Sequence, residues 1–115
     1  MSITLKDRIL EVVQSEGDAT FARLDQLDGF SGGQRVIGDN SKNIVVWDHM
    51  TDDAVLAVLE LQAEGKIQSR TAGLFHYIYD GGGLPSLPVV KKVPAKGYKE
   101  PHWQPIVLIP LEQNR

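Results

Sequence analysis

The sequence predicts an α+β domain in which three helices pack on a small antiparallel sheet, with a C-terminal β extension. Two stretches, 4–16 and 51–64, each open on a capping threonine and carry apolar residues at helical spacing. Beyond residue 66, short β-branched and aromatic runs alternate with Gly and Pro, the pattern of strands and turns. The most informative segment is 43–79, where a strand, a helix and a ribbon follow one another with each boundary signalled. The rest of the chain is expected to pack on it.

From the N-terminus, Thr4 caps a helix to about Glu16, with Leu5, Ile9 and Val12 on one face and Gly17 as its stop. Asp18 or Thr20 caps a shorter helix in which Phe21, Leu24 and Leu27 recur before Asp28 and Gly29 break it. Residues 29–43 hold Gly29, Gly32, Gly33 and Gly38 and read as a long, mobile connection, with a short strand available only at Val36 and Ile37. Ile44 to Trp47 suits a brief buried strand.

Thr51 then caps the central helix, Asp52 and Asp53 suit the positive end of its dipole, and Gly65 supplies a left-handed stop. Val55, Val58, Leu59 and Leu61, with Leu56 beside them, are its expected core face. Asp53, Ala57, Glu60 and Glu64 are its expected solvent face. Residues 66–70 and 74–79 read as a hairpin turning at Thr71, Ala72 and Gly73. Residues 81–88 are a turn region, 89–93 a strand, 94–101 a polar loop, and 103–111 a last strand that Pro105 and Pro110 place at a sheet edge.

A chain of 115 residues is expected to form one domain (1–115), with a helical core and hairpin over 1–80 and a strand extension over 81–115. The absence of cysteine excludes disulfides, thiolate nucleophiles and iron–sulfur clusters and agrees with a cytoplasmic setting. No secretory leader or membrane span is expected. The net charge of −3 conceals a division: residues 1–65 sum to −7 and residues 66–115 to +4. A basic half of this kind attracts polyanions.

The order of helix, helix, strand, helix and hairpin, and above all the piece AVLAVLELQAEGKIQSR, resembles the winged-helix superfamily over about residues 4–79. The resemblance implies a helical core followed by a β-wing, and a DNA-associated or regulatory role. DNA-binding members join two helices by a turn of about three or four residues, whereas Leu27 and Asp52 stand far apart here. Contact with DNA is therefore expected through the ribbon and the later loop, since the exposed face assigned to the central helix is acidic.

Lys91, Lys92, Lys96 and Lys99 interleave with Tyr98, His102 and Trp103 in KKVPAKGYKEPHW. Lysines attract phosphates and rings stack on bases, so Arg70, Lys91, Lys92, Lys96, Tyr98, Lys99 and Trp103 are the candidate nucleic-acid contacts. The competing reading is a solvated loop whose Trp103 plugs the core. Gly29-Phe30-Ser31-Gly32-Gly33 fits the nucleophile-elbow string, but a hydrolase elbow needs a strand-to-helix turn in a large parallel sheet. His49, His76 and His102 lack metal-ligand spacing, and Gly81 to Gly83 lack the Lys and Ser/Thr of a phosphate loop. The sequence reading is thus a non-enzymatic module without cofactor or metal. Its expected partner is DNA or, alternatively, a protein, with a homodimer as a further option; that the protein is itself a small hydrolase is the remote alternative.

Overall fold

Helix α1 (Leu5–Glu16) starts at Thr4, whose hydroxyl accepts from the Asp7 amide while the Asp7 carboxylate accepts in return from the Thr4 amide. The computed structural model that gives this geometry describes residues 3–72, 77 and 87–111. Strand β1 (Ala19–Thr20) leads into α2 (Phe21–Leu24), a single turn capped by Thr20. Then come β2 (Ser31–Asp39), a 3-10 turn (Asn40–Lys42), β3 (Ile44–Met50), α3 (Asp52–Ala63), β4 (Ile67–Thr71), β5 (His102–Trp103) and β6 (Ile106–Pro110). The described residues are thus α+β, with three α-helices and two three-stranded sheets, ordered β1-β6-β4 and β2-β3-β5.

Both ends of α3 form as their residues dictate. The Thr51 hydroxyl accepts from the Ala54 amide at 3.0 Å. At the other end Gly65 takes φ +72°. Lys66 N–H then reaches Leu61 C=O and Gly65 N–H reaches Gln62 C=O, the paired bonds of a Schellman stop. The core face differs from expectation. Ala54, Ala57, Val58 and Leu61 are buried, whereas Leu59 is 50% and Leu56 56% exposed. Ala57, expected in solvent, lies inward because α1 packs on that side, where Lys6 bridges to Glu60 at 3.4 Å and also pairs with Glu64. The Lys6 hydrogen bond holds the Glu64 carboxyl below its ordinary pKa and the Lys6 amine above its own. Leu61→Ala is therefore expected to cost about 2–5 kcal/mol and Leu59→Ala less than about 1 kcal/mol. Urea denaturation of the two variants checks the order.

The glycine-rich stretch after α2 is a strand and not the open connection expected. β2 pairs antiparallel with β3 (Ile37 with Trp47, Gly38 with Val45) through three register shifts, the first with its extra residues on β2 and the other two on β3. Gly38 is required there, because a Cβ would come within 2.1 Å of Ile44 O. The base of this hairpin is tied to α3 by Thr51, whose amide donates to Phe30 O and whose hydroxyl donates to Gly29 O. Hydrogen exchange should find amides across 36–39 and 44–48 slower than those across 91–97; equal rates would mean that the hairpin does not persist in solution.

Strand β6 corrects a second expectation. It runs between β1 and β4, the centre of its sheet, pairing Ala19 with Leu108 and Arg70 with Val107. Pro105 precedes the strand and Pro110 ends it, so they limit its length without exposing its edge. The predicted strand at 89–93 shrinks to one parallel bridge between Val89 and Trp103. The expected partner of β4, the strand at 74–79, lies outside the described residues apart from Tyr77, which is helical and not extended; the 81–86 part of the turn region also lies outside them, and the described partner of β4 is β6.

An aromatic cluster joins the two sheets. Trp47 stacks on Phe21 at 6.2 Å, and Tyr77 meets Trp103 edge-on at 4.9 Å. Each polar tip has a partner: Trp103 Nε1 donates to Val46 O, Trp47 Nε1 to Asp25 Oδ1, and the Tyr77 hydroxyl to Ile106 O. Among the described residues no helix is long and apolar enough to cross a membrane.

Candidate nucleic-acid interface

The lysine-rich loop takes its shape from the tip of the β2–β3 hairpin. Asn43 closes that tip in the left-handed conformation (φ 56°) and turns its side-chain amide onto Tyr98 O and Lys99 O. Lys42 Nζ donates to Ala95 O at 2.7 Å, and the Tyr98 amide donates to Lys42 O. Gly97 makes this approach feasible. Its φ is +81°, and a Cβ would stand 2.6 Å from the Lys42 Cα. The loop's return leg, β5, then pairs parallel with β3 (Ile44 with His102, Val45 with Trp103).

Lys91, Lys92, Lys96 and Lys99 are all exposed on this braced loop. Glu100 follows them in the loop, and Asp39 caps the 3-10 turn at the hairpin tip. Hydrogen bonds from Ser41 hold the Asp39 carboxyl below its ordinary pKa, so Asp39 remains an anion beside the basic group. The cluster keeps a cationic excess.

The aromatic residues divide. Trp103 is 1% exposed and belongs to the core, so it is removed from the candidate contacts, as the competing solvated-loop reading has it. Tyr98 stays at the surface. Its ring stacks on His102 at 3.6 Å and 12°, its hydroxyl donates to Lys92 O, and the Lys91 amide donates weakly to that hydroxyl at 3.4 Å. His102 Nδ1 lies 2.9 Å from Glu100 O, and since a carbonyl only accepts, Nδ1 carries the proton. Pro88, Val89, Lys91, Lys92, Tyr98 and His102 line a cleft of about 650 Å³. Arg70 is exposed on β4, in the other sheet, and is not part of this loop.

The sequence reading names His102 among the rings of this stretch without counting it as a contact. The signal available was its position four residues after Tyr98, flanked by Pro101 and Trp103. Lys42 had no such signal, being distant in sequence and brought to the loop only by the hairpin.

The other candidates carry less chemistry. Ser31 opens an antiparallel strand and not a strand-to-helix turn, so the elbow geometry is missing. His49 pairs with its neighbour Asp48 at 2.9 Å. Among the described residues no group of three His, Asp or Glu side chains could hold a metal ion. A groove of about 320 Å³ between the sheets, walled by Ile37, Ile44, Val46 and Ile106, is apolar and holds no cationic side chain. The outward face of α3 presents Leu56, Leu59 and Ala63 beside Asp52, Asp53, Glu60 and Glu64, with no donor for a base edge or phosphate. No protein-family model matches the chain, and neither the characterised proteins nor the solved structures compared with it include a match.

Proposed function

We propose that the chain is a small non-enzymatic winged-helix-like module that binds nucleic acid, DNA in the first instance, by its phosphate backbone through the loop at 91–99. The observation that carries this reading is the bracing of that loop. Four exposed lysines stand on one short segment whose backbone is braced by bonds to Lys42 and Asn43, so little backbone ordering entropy is lost when phosphates meet them. Binding of this kind is tolerant of sequence, because phosphate contacts position a protein without reading bases. Support for the winged-helix part comes from the antiparallel pair of β4 and β6, both of which follow α1, α2 and α3 in the chain. The β2–β3 hairpin occupies the place of the short turn between the second and third helices. The complete lack of cysteine fits work in a reducing cytoplasm.

The direct test is a salt titration with a fluorescent duplex. Four lysines on four phosphates should give a slope of log K against log salt of about −3 to −4. Absence of binding at low salt overturns the proposal.

A second reading, a protein-interaction module, is favoured by the half-exposed Leu56 and Leu59 on the outward face of α3. The two readings separate cleanly. Leu56→Ser with Leu59→Ser should leave duplex affinity unchanged and would weaken only a protein partner held on α3.

A further inference from the structure

We infer that the cleft beside the lysines takes an unpaired base, so that the module prefers single-stranded polynucleotide over duplex; this rests on the nucleic-acid reading above. Tyr98 and His102 are stacked at 3.6 Å and 12°, and both rings line the cleft together with Lys91 and Lys92. The pair is preorganised. The Tyr98 hydroxyl is tied to Lys92 O, His102 is tied to Glu100 O, and the backbone of Trp103 next to it is clamped on one side by Val90 and Pro88. A duplex offers lysines its phosphates but keeps its base faces inside the stack, so these rings would have nothing to meet. A single strand offers phosphate and base face together, and every base has a π-face, so stacking adds affinity without requiring a sequence. The cleft volume of about 650 Å³ lies within the range of sites that hold nucleotide-sized ligands. Pro88 and Val89 add apolar surface to the lining.

The experiment titrates the full chain, at one low salt concentration, with four fluorescent probes of equal phosphate number: oligo-dT, oligo-U, an abasic deoxy-oligomer, and a duplex. Oligo-dT should bind about tenfold tighter than the abasic oligomer, the size expected of one stacked base, with the duplex close to the abasic value. Oligo-U matching oligo-dT would show that the sugar is not read, and oligo-U falling to the abasic level would restrict the ligand to DNA. His102→Leu should bring oligo-dT down to the abasic level and leave the duplex unchanged. The native protein alone decides the central point, so a misfolded variant cannot hide the answer. If all four probes bind alike, or the duplex binds tightest, the base-stacking inference is overturned while the lysine reading stands. If none binds, the lysine reading itself fails.

Discussion

Trp103→Ala is expected to destabilise the protein by about 3–5 kcal/mol in urea denaturation followed by circular dichroism, among the largest effects of any single substitution. The indole is 1% exposed and lies against Trp47 and Tyr77, at 6.5 and 4.9 Å between ring centres. Its removal leaves a cavity where the two sheets meet and strips Val46 O of its indole donor, which otherwise sits at 3.0 Å. Trp103 also pairs with Val45 in β5, so the loss would loosen the anchor of the lysine loop. A change below about 1 kcal/mol would mean that the segment after residue 87 is an appendage and not part of the core.

Replacing Lys91, Lys92, Lys96 and Lys99 together with glutamine is expected to abolish nucleic-acid binding at moderate salt while leaving the denaturation midpoint nearly unchanged. All four side chains are exposed, and none of them makes an ion pair among the described residues. Their removal therefore breaks no buried contact. Each lysine that neutralises a phosphate contributes close to one unit of salt slope, so the variant should lose both affinity and salt dependence. Glu60→Gln with Glu64→Gln is the matching control on α3. Because that helix faces the ligand with the wrong charge or not at all, binding should stay the same or strengthen. Retention of duplex affinity by the quadruple variant, measured by fluorescence anisotropy, would remove the loop from the interface.

The helix ends were legible because capping chemistry is local. Thr4, Thr51 and Gly65 act on amides and carbonyls within a few residues, and each does so in the structure as its position requires. The face of α3 was half legible. Its apolar residues reach well round the helix, so periodicity could not say which side would be covered, and the approach of α1 at Lys6 decided for Ala57 and against Leu59. The strand β2 was nearly invisible, being glycine-rich and largely exposed. Its order comes from pairing with β3 rather than from propensity, which context outweighs in strands.

The candidate site followed the same division. The lysines of the loop were visible as composition, but Lys42 joined them only through a hairpin tip that links residues more than fifty positions apart. Trp103 could have been a stacking surface or a core plug, and an indole reads alike in either role until its neighbours are known. By itself the sequence determined where α1 and α3 begin and end, which half of the chain is basic, and which chemistries the lack of cysteine excludes, since each of these depends on residues close together or on composition. The tertiary structure alone decided that β6 is central, that the glycine-rich segment is a strand, and that Trp103 is buried. Each of these turns on backbone pairing or packing between distant segments, and one residue's chemistry does not specify its partner.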